Sequence, residues 1–158
     1  MIPVTRRFTL RGDCMLPLLE PGDDVWVRRG PPVPGRLLAY ARFNGLVPEV
    51  VVHRLLADGT TRADARLAKD PDDEAAAFLG RVVALRRGGR LAALETPRGR
   101  AWDAFSCAYA RLFLCWWREG VLEPLGGVLG GALRRPLRAA ALLPPRVVFR
   151  LLFGLGRP

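Results

Sequence analysis

The sequence has little of several residue types, and each shortage excludes a class of protein. Three cysteines without regular spacing argue against a secreted domain held together by disulfides. No run reaches the roughly 20 apolar residues of a membrane-spanning helix, and no apolar stretch follows the first arginines as it does in a signal peptide. We therefore expect a cytoplasmic protein, either free or peripheral at the inner face of the membrane.

Lysine and histidine are also scarce, which limits the choice of a catalytic base or a metal ligand. Among 25 basic residues only Lys69 is a lysine, and His53 is the single histidine. Cys107 and Cys115 are eight positions apart, too far for the two-residue spacing of a zinc clip. We expect these two cysteines to be core residues, and we expect neither a metal nor another cofactor.

Positive charge is abundant but unevenly placed along the chain. Residues 1–85 carry 12 basic and 11 acidic side chains, whereas residues 86–158 carry 13 basic and only 4 acidic side chains. The net charges of the two parts are therefore +1 and +9. This asymmetry predicts an ordinary globular domain followed by a cationic extension.

The first part of the chain has the pattern of short strands joined by tight turns. Asn44-Gly45, Asp58-Gly59 and Gly88-Gly89 each lie between apolar runs and suit the positive backbone angles of hairpin turns. Helical spacing is weak and confined to residues 73–79. We predict a mainly β domain over residues 1–96.

After Pro97 the pattern becomes helical. Residues 101–119 lack internal proline and glycine, and apolar side chains recur every three to four positions at Trp102, Phe105, Ala108, Leu112 and Trp116. Prolines at positions 136, 144 and 145 divide the remainder into short apolar segments with arginines. We predict a helical, arginine-rich extension over residues 97–158. It either packs on the β domain with its arginines in solvent or lies on an anionic membrane.

Four segments in a fixed order carry the candidate chemistry. The first, residues 12–27, contains Gly-Asp-Cys-Met-Leu-Pro and then Gly-Asp-Asp-Val-Trp-Val. The second is Gly-Arg-Leu-Leu-Ala-Tyr at 35–40, and the third is Val-Val-His-Arg-Leu-Leu at 51–56. The fourth is Thr-Arg-Ala-Asp at 61–64, followed by Asp70 and by Leu-Gly-Arg-Val-Val at 79–83. Together they resemble the signal peptidase I/LexA-like clan of serine peptidases over residues 8–86.

The resemblance implies a signal-peptidase/LexA-like catalytic β fold and a set of site residues. Cys14 stands where the family has its nucleophilic serine, and His53 stands at the position of the general base. Bacterial-type members use lysine at that position, so a histidine points to the branch that pairs histidine with an aspartate. Asp70 or Asp64 would orient His53, and Met15 and Pro17 would bind substrate.

The departures from the family pattern bear directly on function. Besides the serine-to-cysteine change, Arg36 replaces the aspartate of the second segment, and Arg62-Ala63-Asp64 stands for Lys-Gly-Asp. A thiol is a good nucleophile only as the thiolate, so Cys14 needs a base or an electropositive setting. A cysteine, histidine and aspartate set supplies such a base. Loss of the serine is equally what an inactive member would show.

The resemblance therefore implies an endopeptidase that cleaves leader or signal-like segments of peptide or protein precursors. The alternative is a catalytically inactive family member that binds peptides or associates with an anionic membrane surface. Nucleic acid is not an expected partner. No helix-turn-helix is recognisable, and aromatic residues do not alternate with the arginines as they do in single-strand binders.

Overall fold

A computed structural model describes residues 5–44, 47–66, 68–70, 77–115, 136–137 and 139–154 of the chain. The strands within these residues are β1 Thr5–Thr9, β2 Asp24–Arg28, β3 Leu37–Asn44, β4 Val47–Leu55, β5 Thr61–Arg62, β6 Ala77–Arg87 and β7 Arg90–Ala93. The helices are α1 Pro97–Tyr109, continued by a π-helix over Ala110–Leu114, and α2 Leu143–Phe153. Residues 136–137 and 139–141 are also helical.

The strands form one antiparallel sheet in the order β1-β2-β6-β3-β4-β5, and β7 pairs with β6 beside this path. The longest strand, β6, pairs with β2, β3 and β7, so it connects the two halves of the sheet. A seven-stranded antiparallel sheet with two short helices confirms the prediction of a mainly β fold.

Two of the three predicted glycine turns are confirmed. Gly59 has φ +86° between β4 and β5, and Gly88-Gly89 has φ +55° and +79° between β6 and β7. The third turn includes positions 45 and 46, which lie outside the described residues. The weak helical spacing at 73–79 is wrong for its last three residues, because β6 begins at Ala77 and pairs there with β3. Residues 73–76 are outside the described part of the chain.

The helices share the hydrophobic core of the sheet. Trp102 of α1 is fully buried, and its ring meets the Phe149 ring of α2 edge-on with centroids 5.3 Å apart. A Cβ at Gly99 would lie 2.0 Å from the carbonyl oxygen of Ala93, so the first turn of α1 approaches β7 too closely for any larger residue. The core comprises Met15, Leu18, Leu19, Val25, Val27, Leu37, Ala39, Val52, Val82, Leu85, Ala92, Leu94, Trp102 and Phe149.

The change from strand to helix occurs between β7, which ends at Ala93, and α1, which begins at Pro97. Thr96 caps α1, because its hydroxyl oxygen accepts a hydrogen bond from the backbone N–H of Gly99 at 3.1 Å. Pro97 follows in the first turn, where its missing N–H costs nothing. The short sequence Thr-Pro-Arg-Gly therefore both starts the helix and permits its close contact with β7.

The predicted apolar face of α1 is correct only in its first half. Trp102 is buried and Phe105 is half-buried, but Ala108 is exposed and Leu112 is 81% exposed. The π-helix over Ala110–Leu114 widens the helical turn, so the three-to-four spacing no longer follows one face there. Position 116 lies outside the described residues.

Pro144 and Pro145 separate two helical segments, as predicted, because residues 139–141 are helical, Leu142 is a turn residue and α2 begins at Leu143. Both prolines lie in the first turn of α2, where proline needs no intrahelical hydrogen bond. The helix continues from there to Phe153. Within the described residues, no helix is long and apolar enough to cross a bilayer.

A buried ion pair fastens β4 to three other parts of the fold. Arg54 and Asp64 are only 6% and 3% exposed, and they form a bidentate pair at 2.8 Å and 2.6 Å. The same guanidinium donates to Asp103 of α1 at 2.7 Å and to the carbonyl oxygen of Gly35 at 2.7 Å. Burial lowers the pKa of Arg54, but its hydrogen bonds to Asp64 and Asp103 outweigh burial and raise that pKa overall.

Removing the Asp64 carboxylate should destabilise the fold strongly. Asp64→Ala leaves a buried guanidinium short of its main partner, and we expect a loss of about 3 kcal/mol in the free energy of unfolding. Urea denaturation measures this loss. The matched control is Asp58→Ala, which removes an exposed carboxylate paired with Lys69 and should change little. Equal unfolding midpoints for the two variants would contradict the structural role of Arg54.

Candidate active site

Cys14 lies on the compact turn that connects β1 to β2. Backbone hydrogen bonds from Leu10 to Asp23 (2.9 Å) and from Gly22 to Leu10 (2.8 Å) close the base of this connection. The backbone N–H of Ala65 donates to the carbonyl oxygen of Cys14 at 2.9 Å. The turn that carries the thiol is therefore attached directly to the segment that follows β5.

His53 lies on β4 and is 7% exposed. Its Nδ1 is 2.5 Å from Oδ2 of Asp70 and 3.0 Å from the hydroxyl oxygen of Tyr40. The hydroxyl of Thr61 donates to the same Asp70 oxygen at 2.6 Å, and the backbone N–H of Asp70 donates to the carbonyl oxygen of Thr61 at 2.9 Å. Asp70 is thus fixed by β5 while it contacts the imidazole.

The contact with Asp70 determines which nitrogen of His53 carries the proton. An ionised carboxylate can only accept hydrogen bonds, so Nδ1 must donate to Asp70. The neutral ring then has its lone pair on Nε2, which is the nitrogen available to take a proton from a nucleophile. This is the arrangement in which an aspartate holds a histidine in the tautomer of a general base.

The two aspartates proposed for orienting His53 have different partners. Asp70 contacts His53, whereas both carboxylate oxygens of Asp64 accept hydrogen bonds from Arg54. Of the two aspartates, Asp70 is therefore the one that contacts the imidazole. The prediction was open because both residues follow β5 within a few positions of each other.

A single cleft of about 690 Å³ contains the candidate residues. Cys14, His53 and Asp70 all line it, as does Met15, whose sulfur accepts a hydrogen bond from the backbone N–H of Asp64 at 3.4 Å. Pro17 is fully buried beneath the turn and is not among the residues that line the cleft. The prediction that Pro17 binds substrate is therefore without geometric support, and Met15, although it lines the cleft, is only 2% exposed and belongs to the core.

The surroundings of Cys14 raise the pKa of its thiol. Burial is the main cause, and the negative charge of Asp13 adds to it, with a smaller contribution from Asp70. The backbone N–H of Cys14 itself and the nearby Arg66 act in the opposite direction but do not outweigh burial. The resting thiol is therefore protonated near neutral pH, and its activation requires a base.

Three residues of the site were not predicted from the sequence. Tyr40 is deducible from the hairpin register, because Leu38 pairs with His53 and Tyr40 lies two residues further along the same face of β3. Thr61 opens the fourth motif segment, but its bond to Asp70 depends on a loop conformation. Arg66 carries no sequence signal of its own, since it is one of many arginines.

The remaining cysteines lie apart from the cleft. Cys115 is buried, and its thiol is 3.7 Å from the carbonyl oxygen of Asp64. Cys107 is half-buried on α1. Within the described part of the chain, no group of three or more histidine, cysteine or acidic side chains could hold a metal ion.

No protein-family model, curated protein or solved structure matches this chain.

The raised pKa of Cys14 predicts a characteristic pH dependence of alkylation. Iodoacetamide should modify Cys14 along a curve whose midpoint lies above that of an ordinary thiol, as measured by mass spectrometry of the Cys14 peptide. Arg66→Gln removes a stabilising positive charge and should move the midpoint further up, whereas Asp13→Asn should move it down. A wild-type midpoint below pH 7 would contradict a protonated resting thiol and would indicate a preformed thiolate–imidazolium pair.

Proposed function

We propose that this chain is an endopeptidase with a signal-peptidase/LexA-like catalytic fold, acting through Cys14, His53 and Asp70 on leader or signal-like segments of precursors. The observation that carries the proposal is the 2.5 Å contact between His53 Nδ1 and Asp70, in the cleft that Cys14 also lines. Nucleophile, base and orienting acid come from three separate parts of the chain. Their meeting in one cleft supports a role in chemistry over three unrelated structural roles.

The proposed reaction runs through a thioester. Cys14 Sγ attacks the carbonyl carbon of the scissile peptide while its proton passes to Nε2 of His53. The backbone N–H of Cys14 donates to the oxyanion, and Asp70 stabilises the imidazolium. When the C–N bond breaks, His53 returns the proton to the leaving amine. Water then attacks the thioester, its proton passing through His53 to the departing thiol.

The proposed binding place of an extended substrate is the edge of β4. One side of β4 pairs with β3 along its length, whereas the other side pairs with β5 only at Arg54 and Leu55 within the described residues. Val50, Val51 and Val52, which precede His53, line the cleft. A peptide added as a further strand along this edge would satisfy the backbone groups there and pass beside the base. Cleavage after small residues is what the family resemblance implies.

A catalytically inactive peptide binder is the second candidate, favoured by one specific observation. Burial and Asp13 raise the pKa of Cys14, which is the opposite of the shift found at many reactive cysteines. The same cleft and β4 edge would hold a peptide without cleaving it. The two candidates differ in whether His53 takes the proton of the thiol.

Cleavage of a defined peptide distinguishes the two candidates. The probe is a synthetic precursor with an apolar segment followed by Ala-Xaa-Ala, incubated with the protein and analysed by mass spectrometry. We expect cleavage by the wild type and none by Cys14→Ala. His53→Ala should lower kcat/KM by about 10²- to 10⁴-fold, the usual contribution of a general base. Asp70→Asn should lower it to a similar degree because the tautomer is lost.

Lys69→Ala is the control for the choice of base. Lys69 lines the cleft with its ammonium paired with Asp58, and it is the sole lysine of the sequence that could replace His53 as a base. We expect this variant to cleave like the wild type. Loss of cleavage in Lys69→Ala, or equal cleavage by wild type and His53→Ala, would overturn the proposed mechanism. Tight peptide binding without any cleavage by the wild type would favour the inactive binder.

A further inference from the structure

Helix α2 has two apolar faces, and only one of them is used by the core. Phe149 and Pro145 are buried, and Val148 and Leu152 pack against the same core. On the opposite side Leu143, Val147 and Leu151 are 60%, 47% and 62% exposed. Their spacing of four residues aligns them along one face of the helix. We refer to these three side chains as the α2 ridge.

The charged residues of α2 are two arginines. Arg146 comes one residue before Val147 and Arg150 comes three residues after it. Both arginines are exposed. Arg146 also forms an ion pair with Glu20 at 2.7 Å. No acidic residue occurs in α2, and residues 86–158 carry a net charge of +9. A helix with exposed apolar side chains and flanking arginines is typical of binding at a membrane surface.

The size and shape of the α2 ridge favour a lipid surface over a second protein. Three side chains on a convex helix are far fewer than the roughly 20 residues a side of a stable protein interface. A lipid headgroup layer needs no complementary shape. It accepts a row of apolar side chains at the boundary with the acyl chains, and its anionic headgroups attract the arginines.

We propose that the α2 ridge, with Arg146 and Arg150, binds the surface of an anionic bilayer. This inference is independent of the proposed peptidase activity, because no residue of the cleft takes part in it. Binding through α2 would also determine where the cleft lies relative to the membrane. Leu142, directly before α2, packs against Leu16 and Ala65, which adjoin the Cys14 turn. Bilayer contact through α2 would therefore hold the cleft close to the membrane surface.

Vesicle co-sedimentation of the full chain tests the proposal. The probes are vesicles of phosphatidylcholine alone and vesicles in which a third of the lipid is phosphatidylglycerol. We expect the wild type to sediment with the anionic vesicles at low salt, to be released by high salt, and to bind neutral vesicles weakly. The triple variant Leu143→Gln, Val147→Gln, Leu151→Gln should lose at least 10-fold in partitioning to the anionic vesicles.

Matched controls distinguish binding through the α2 ridge from nonspecific hydrophobic binding and from misfolding of the variant. Phe78→Gln removes an exposed apolar side chain from β6 and should leave partitioning unchanged. Because the three ridge side chains are exposed, the triple variant should keep the wild-type melting temperature and circular dichroism. Arg150→Gln should weaken binding to anionic vesicles only.

Three outcomes would overturn the proposal. One is equal sedimentation of wild type and triple variant, and another is equal binding of the wild type to neutral and anionic vesicles. The third is a wild-type dimer in analytical ultracentrifugation that the triple variant abolishes, which would assign the ridge to a second copy of the chain. Hydrolysis of an activated ester at Cys14 is also measured in the triple variant. Because the variant changes no residue of the cleft, its hydrolysis rate should equal that of the wild type, and vesicle binding can be judged apart from the peptidase proposal.

Discussion

The buried guanidinium of Arg54 is the constraint on which the arrangement of the candidate site depends. Adjacent residues of a strand point to opposite faces, so His53 faces the cleft while Arg54 faces the interior. Each takes a carboxylate from the segment that follows β5: Asp64 for Arg54 and Asp70 for His53. The Arg54–Asp64 ion pair thus holds the segment after β5 across β4. The same segment brings Asp70 to the imidazole of His53.

The same segment also positions the candidate nucleophile. Asp64 precedes Ala65, whose backbone N–H holds the carbonyl of Cys14, and the backbone N–H of Asp64 itself contacts the sulfur of Met15. Asp103 extends the network to α1. Helix α1 is therefore tied to the site by polar contacts of Asp103 as well as by the packing of Trp102.

Much of the sheet and part of the site could be predicted from the sequence, for physical reasons that are local. Gly59 and Gly89 adopt backbone angles that other residues disfavour, so they marked the hairpins correctly. His53 could be singled out because the chain offers no second histidine. The choice between Asp64 and Asp70 could not be made, because it depends on how a loop crosses a strand. The exposure of Leu112 was missed because a π-helix changes the residue spacing.

Burial of Cys14 decides what kind of chemistry the site can perform. A thiol whose pKa is raised is mostly protonated near neutral pH, so the proposed mechanism requires that the histidine take the proton as the sulfur attacks. The two candidate functions therefore differ in what one atom, Nε2 of His53, does. In the proposed peptidase Nε2 of His53 takes the proton of Cys14, whereas in the inactive peptide binder it does not.

The most direct test of this account is to trap the acyl-enzyme. The protein is mixed with p-nitrophenyl acetate, quenched with acid within the first turnover, digested and analysed by mass spectrometry. We predict an acetyl thioester on Cys14 that forms rapidly in the wild type and at least 100-fold more slowly in His53→Ala, in line with general-base catalysis. Acetylation of Cys14 at the same rate in both proteins would contradict the account, as would acetylation of Cys107 in its place.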